Sequence, residues 1–102
     1  MKVKKGDFGY IIPVKLLGAT YAVFNLTGYT VKMKVWAKGT PGSIKWTLDG
    51  SVTNAAAGEI EFTVANTHFT EAGIFKGEIE IARAGHIESS KSFTIEVEES
   101  PL

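Results

Sequence analysis

Residues 24–36 read FNLTGYTVKMKVW and give the clearest indication of the fold. After Leu-Thr-Gly, apolar and polar residues alternate, which is typical of a strand with one buried face. The apolar positions are Val31, Met33 and Val35. Trp36 breaks the pattern, because it falls on the face that carries Lys32 and Lys34. Three interpretations stay open: a β-bulge or a neighbouring loop covers the indole, the indole anchors a protein partner, or it stacks on a sugar ring.

Alternation of the same kind recurs along the chain, and turn signals separate the segments about every 8–14 residues. The pattern predicts strands at 10–16, 29–37, 44–48, 51–54, 59–65, 74–82 and 86–98. Pro13 makes the first an edge strand, because proline cannot donate a hydrogen bond to a neighbouring strand. Asp49-Gly50 predicts a two-residue hairpin, since both positions tolerate positive φ. The inward residues predicted just before it are Ile44, Trp46 and Leu48.

These strands predict an all-β fold, an antiparallel immunoglobulin-like β-sandwich of about seven strands. A small closed barrel is the competing architecture. A length of 102 residues corresponds to one domain. Residues 1–102 are therefore predicted to form a single domain, with an ordered core at 6–98 and frayed ends.

The composition excludes several classes of protein. The chain has no cysteine, which excludes a disulfide framework, thiol catalysis and thiolate metal sites. A net charge of zero gives no attraction to nucleic acid, and no apolar run approaches the roughly 18 residues of a membrane span. The N-terminus starts like a signal peptide, but Asp7, Pro13 and Lys15 interrupt it. We expect synthesis in the bacterial cytoplasm without a signal peptide.

The charges are divided unevenly between the two halves of the sequence. Residues 1–51 contain eight lysines and two aspartates, a formal charge of +6. Residues 52–102 contain three basic residues and nine glutamates, a formal charge of −6. If the halves formed separate surfaces, these surfaces would attract one another between copies or partners.

No reaction is indicated by the polar residues. The i,i+2 glutamate pairs, Glu59 with Glu61 and Glu78 with Glu80, fit glycosidase spacing, but outward glutamates more simply keep a sheet soluble. The chain is therefore predicted not to be an enzyme. No cofactor is indicated either, since the sequence has no phosphate-binding loop.

Metal binding and glycosylation are weakly indicated alternatives. His86 and Glu88 share a strand face and His68 lies in a loop, but their spacing does not bring the three together. We predict no metal site. Asn25-Leu26-Thr27 is a glycosylation sequon, and Thr27-Gly28 more simply makes the turn before the strand.

The order of motifs resembles a known family. The motifs are GDFGYIIPVKL (6–16), NLTGYTVKMKVW (25–36), the Asp49-Gly50 hairpin, EAGIFKGEIEI (71–81) and SFTIEV (92–97). Together they resemble the immunoglobulin-like N-terminal domain of phage baseplate upper proteins and related phage tail proteins, over roughly residues 6–98. The sequence departs from the family pattern at GATYAVFN (18–25), where a polar turn is expected.

The resemblance implies a structural assembly module of a phage or prophage tail, located in the virion. Its expected partners are protein subunits of the tail or baseplate, including copies of itself, and neither nucleic acid nor a membrane. The candidate interaction patch consists of Lys32, Lys34, Trp36 and Lys45. The alternative function is a carbohydrate-binding or adhesion module, for which Trp36, Tyr21 and Tyr29 are the candidate aromatic residues.

Overall fold

The computed structural model describes residues 1–15, 25–90 and 92–99, and within these ranges the fold is all-β. The strands are β1 (Lys2–Lys4), β2 (Ile11–Lys15), β3 (Thr30–Ala37), β4 (Ile44–Asn54), β5 (Glu59–Thr63), β6 (Gly73–Arg83), β7 (His86–Ser89) and β8 (Phe93–Glu98). The all-β prediction is confirmed. In the described part of the chain, no helix is long and apolar enough to cross a membrane.

The strands form a mixed, curled sheet in the order β1-β8-β6-β3-β4-β5-β2, with β7 also paired to β6. All the strand pairs are antiparallel except that of β1 with β8, which run parallel. A purely antiparallel fold was therefore a wrong prediction. The exception arises because the chain begins beside its own last strand and runs in the same direction.

Strand β4 joins the two halves of the sheet. Its first half pairs with β3 and its second half, from Gly50 to Asn54, pairs with β5. The predicted Asp49-Gly50 hairpin is wrong, because the chain continues through these residues as one strand. Gly50 serves close packing instead: a β-carbon there would lie 2.6 Å from Phe62 Cε1 and 2.7 Å from Val31 Cγ2.

The core lies inside the curl and takes side chains from both halves of the sheet. The predicted inward residues of β3, β5 and β6 are buried, which confirms the alternation in these strands. They are Val31, Met33, Val35, Ile60, Phe62, Val64, Phe75, Ile79 and Ile81. Trp46 adds aromatic contacts, with its ring 4.7 Å from that of Phe75 and 5.4 Å from that of Phe69.

The N-terminal segment runs from β1, at one end of the sheet order, to β2, at the other end. Strand β1 starts at Lys2, four residues before the predicted ordered core, and its Val3 is buried. Gly6 and Gly9 have φ values of 84° and 85°, which turn the chain toward β2. Within the described ranges, strand β2 pairs with β5 and with no other strand. The prediction that Pro13 lies in an edge strand is confirmed.

The last predicted strand, 86–98, is divided into β7 and β8. Both pair with β6, but β7 opposes Glu80–Arg83 and β8 opposes Gly73–Gly77. Between Ser89 and Phe93 the register shifts by one residue, so the pattern is that of a β-bulge. The shift keeps Ile95 and Val97 on the buried face. The departure at GATYAVFN falls largely on residues outside the described ranges.

Candidate interaction surface

The candidate patch lies on the outer face of β3, opposite the core. Lys32, Lys34 and Trp36 alternate with the buried residues of this strand and so share one face. On β6, the residues opposite these three are Glu80, Glu78 and Lys76. On the other side, Lys32 lies opposite Asp49 of β4. The two lysines are therefore set in a pattern of alternating charge.

Trp36 is buried, with a relative exposure of 8%. The pairing of β3 with β4 shifts at this point: Val35 opposes Trp46, whereas Trp36 opposes Ile44. Lys45 is the extra residue, as in a β-bulge. The indole is therefore covered within the monomer, in agreement with the first of the three interpretations.

The same bulge overturns one prediction about the core. Ile44 was expected to face inward with Trp46 and Leu48, yet Ile44 is 45% exposed. The extra residue at Lys45 reverses the side-chain alternation of β4 before Trp46. Ile44 consequently joins the outer face beside Trp36. Ile74 of β6 is also 45% exposed, and it shares the outer parity of Lys76.

Two lysines of the patch form ion pairs within the chain. The Lys34 ammonium lies 2.6 Å from a Glu80 oxygen, and the Lys45 ammonium lies 2.5 Å from a Glu71 oxygen. Among the described residues, no carboxylate oxygen lies within 4.0 Å of the Lys32 ammonium. Lys32 is thus the patch residue whose charge is most available to a partner.

The uneven charge of the two sequence halves is largely neutralised by folding. Five lysines of residues 1–51 pair with glutamates of residues 52–102. These pairs are Lys2–Glu96, Lys4–Glu98, Lys5–Glu99, Lys34–Glu80 and Lys45–Glu71. The first four form because β1 lies against β8 and β3 against β6, and the fifth joins β4 to the loop before β6. The halves therefore interleave, and their charges meet inside one molecule.

The two glutamate pairs lie on different strands. Glu80 is held by Lys34, as described above. Glu59 and Glu61 line a groove of about 320 Å³, together with Pro13, Lys15 and Thr53. Among the described residues that line this groove, no histidine lies beside the carboxylates.

The two histidines are engaged in separate contacts. His86 Nε2 lies 2.8 Å from Glu88 Oε1, and the ring of His86 packs edge-on against Tyr29 at 5.7 Å. His68 Nδ1 accepts the Ala65 N–H at 3.0 Å, and its Nε2 lies 3.1 Å from the Thr47 carbonyl oxygen. Within the described residues, no three His, Asp or Glu side chains are grouped as metal ligands.

His68 stabilises a strained loop. The residue after it, Phe69, has a φ of 49°, which is rare for a non-glycine residue. Phe69 is nevertheless fully buried against Trp46. The hydrogen bonds of His68 tie this loop to β4, so they help to keep Phe69 in the core. The sequence gives no signal for this role, because it depends on the folded path of the loop.

The sequon forms a turn. Asn25 Oδ1 accepts hydrogen bonds from the Thr27 N–H at 2.9 Å and from the Thr27 hydroxyl at 2.6 Å. Gly28 follows with a φ of 81° and leads into β3. The prediction that Thr27-Gly28 makes this turn is confirmed.

The aromatic residues proposed for sugar binding are not available as a group. Trp36 and Tyr29 are buried, with exposures of 8% and 7%, and Tyr21 lies outside the described residues. A sugar-stacking platform needs an exposed ring face, which neither described residue offers.

A second cavity, of about 360 Å³, lies at the start of the chain. It is lined by Lys2, Val3, Lys4, Asp7, Tyr10 and Glu98. The Tyr10 hydroxyl is buried, and it has no hydrogen-bond partner among the described residues. Burial raises the pKa of Tyr10, and the Asp7 carboxylate raises it further. Sequence reasoning missed this cavity, because β1 was expected to be frayed.

The chain was compared with models of protein families. Residues 14–101 match the BppU N-terminal domain. The chain belongs to this family. A search of curated proteins finds no match to the chain. The resemblance to the N-terminal domain of phage baseplate upper proteins is thereby confirmed.

The BppU N-terminal domain match begins within β2 and includes β3 to β8. It therefore contains the outer face of β3 and the whole of β6, and it leaves out β1. The family is a structural domain of the phage baseplate, which indicates a location in the virion tail and an association with other tail proteins. Such domains are typically not enzymes.

Proposed function

We propose that this chain is an assembly module of a phage or prophage baseplate that binds other tail subunits through protein–protein contacts. The observation that carries the proposal is the match of residues 14–101 to the BppU N-terminal domain. The proposal includes the absence of catalysis, of a cofactor and of binding to nucleic acid or membranes. It also includes a single domain over residues 1–102.

We further propose that the curled sheet is an immunoglobulin-like sandwich. One layer would contain β1, β8, β7, β6, β3 and the first half of β4, and the other β2, β5 and the second half of β4. The division of the β4 pairing near Gly50 supports this arrangement. So does the single buried cluster, which takes residues from both layers. A rigid sandwich suits a mechanical role, since it presents sheet faces of fixed shape.

The proposed contact surface is the outer face of β3 and its neighbours, with Lys32, Lys34, Trp36 and Lys45 as the candidate patch. Lys32 supplies a positive charge without a carboxylate partner among the described residues. Ile44, half-exposed next to the patch, supplies apolar area. Trp36 contributes to this surface through packing, because its side chain is buried. This combination of an apolar centre and flanking charges is usual for a protein interface.

The test is binding to purified baseplate proteins of the phage that encodes the chain, measured by light scattering on a sizing column. The proposal predicts a stable complex with at least one of them. Lys32→Glu is expected to weaken this complex by roughly tenfold, because it reverses a charge on the contact surface.

Lys15→Glu is the matched control, since Lys15 is also exposed but lies on the edge strand β2. It should leave the affinity unchanged. An equal loss of affinity in the two variants would show that the patch is not the contact surface. The absence of any complex would contradict the proposed function itself.

A further inference from the structure

Strand β7 presents an open edge. It pairs with β6 on one side, and among the described residues no strand pairs with it on the other. Strand β1 covers the neighbouring edge of β8, but only beside Glu96–Glu98. The edge beside Ile87 therefore stays uncovered by the described strands, and Ile87 is the most exposed of the large apolar side chains there, at 68%.

The two terminal strands of the sheet order, β1 and β2, carry protection that β7 lacks. Exposed edges of β-sheets tend to pair with other chains, and proteins oppose this with charges or proline. Strand β1 has lysines at positions 2 and 4, and β2 has Pro13 and Lys15. In β7 the side chains of His86 and Glu88 contact each other, and the residue between them is an isoleucine.

Backbone N–H and C=O groups of β7 point toward its open edge. Arg83 and His86 close the hairpin as a hydrogen-bonded pair. In an antiparallel ladder such pairs alternate with pairs whose backbone N–H and C=O groups point away from the partner strand. Residues 86 and 88 therefore point toward β6, as the Ser90 N–H does when it donates to the Ile79 carbonyl oxygen. The N–H and C=O groups of Ile87 and Ser89 then point toward the open edge.

We propose that β7 is a self-association edge, at which two copies of the chain pair antiparallel about a two-fold axis at Ile87. This inference rests on the proposed assembly role and names one surface for it. At this axis each Ile87 exchanges two backbone hydrogen bonds with the Ile87 of the second copy. Such an interface is isologous, so the same patch serves both copies.

The His86–Glu88 contact is self-complementary in this register, which favours a second copy as the occupant. With Ile87 opposite Ile87, the His86 of each copy lies opposite the Glu88 of the other. The existing contact of 2.8 Å between His86 and Glu88 within each copy is retained. The result is a ring of four side chains in which acceptor and donor alternate, on the face opposite to the two isoleucine side chains.

Disulfide cross-linking tests this pairing, because the chain has no cysteine of its own. Hydrogen-bonded pairs in antiparallel ladders have Cα atoms about 5.5 Å apart, within the range for a disulfide. Ile87→Cys is therefore expected to form a disulfide-linked dimer, twice the 11.0 kDa mass, under mild oxidation. Ile74→Cys is the matched control: it is exposed on β6 of the same sheet, is not at the axis, and should remain monomeric.

Light scattering on the unmodified chain should show a dimer at high concentration. Ile87→Lys, and the milder Ile87→Ser, should shift it to the monomer, whereas Ile74→Lys should not. A monomer at all concentrations, with no cross-linking of Ile87→Cys, would overturn the inference. Cross-linking of Glu88→Cys in place of Ile87→Cys would overturn the register.

A failure of the β7 inference can be distinguished from a failure of the proposed function. Ile87→Lys should still bind the baseplate protein identified with the unmodified chain, because its contact surface on β3 is intact. A monomeric chain that binds a baseplate protein would overturn only the β7 inference. A dimer that binds none of them would contradict only the proposed function.

Discussion

The backbone of Gly50 lies directly against the ring of Phe62, and a β-carbon at position 50 would be only 2.6 Å from the Phe62 Cε1 atom. Gly50 is also the point at which β4 changes partner from β3 to β5. The absence of a side chain at this residue therefore lets the two halves of the sheet close over the core.

Gly50→Ala is expected to destabilise the fold by about 1–3 kcal/mol, because the added methyl group would displace Phe62 and Val31. Urea unfolding followed by fluorescence measures the change. Gly42→Ala is the control, since no atom lies within 4 Å of a β-carbon there. A Gly50→Ala variant as stable as the Gly42→Ala variant would show that the close contact does not exist.

Trp36→Ala is expected to destabilise the fold by about 3 kcal/mol, because it removes a large buried side chain. Its burial can be measured in a Trp46→Phe variant, which leaves Trp36 as the only tryptophan. Acrylamide should quench its fluorescence much less than that of free tryptophan. Quenching as strong as that of the free amino acid would mean that the indole is exposed, which would restore it as an anchor for a partner.

His68→Ala is expected to destabilise the fold by about 1–3 kcal/mol, because the Ala65 N–H and the Thr47 carbonyl each lose a partner. Chemical unfolding measures the effect. Thr67→Ala changes an exposed neighbouring side chain and should stay within about 0.5 kcal/mol of the unmodified chain. If the two variants are equally stable, His68 does not hold the loop.

The raised pKa of Tyr10 predicts that the fold loses stability in alkali. Its pKa is raised in the folded chain, chiefly by burial and then by Asp7, so the folded state retains the phenolic proton when the unfolded state has lost it. The stabilisation associated with this proton is complete below about pH 10, the ordinary pKa of tyrosine, and is lost as the pH rises toward the folded pKa.

Tyr10→Phe removes the titrating group and a buried hydroxyl for which the described residues provide no partner. At pH 7 it should be at least as stable as the unmodified chain. Between pH 9 and pH 11, roughly the range around the ordinary tyrosine pKa, it should lose less stability than the unmodified chain does. Parallel pH profiles of the two chains would refute the assignment to Tyr10.

The alternating strands could be predicted from the sequence because their periodicity is local. Val31, Met33 and Val35 face the core as the pattern indicates, and Pro13 lies in an edge strand. The turn at Thr27-Gly28 was likewise predictable, since its hydrogen bonds join residues two positions apart.

The errors concern features that depend on distant parts of the chain. Asp49-Gly50 resembles a hairpin turn, but the contact of Gly50 with Phe62 explains the glycine. Ile44 is exposed because of a bulge that no alternation within β4 could indicate. Strand β1 has three residues and two lysines, and it exists because β8 lies beside it.

For the candidate site, the sequence predicted which residues of β3 share a face, but not their partners. Lys34 is paired with Glu80 because β3 lies beside β6, although these two residues are 46 positions apart along the chain. The open edge at Ile87 could not be recognised either, because 86–98 was predicted as one continuous strand.

The most direct test of the central claim, that the protein is a baseplate component, is immunogold electron microscopy of purified virions of the phage that encodes it. Gold particles are expected at the distal end of the tail, on the baseplate, with a stoichiometry that is constant from virion to virion. Virions without label, or with label confined to the head, would contradict it.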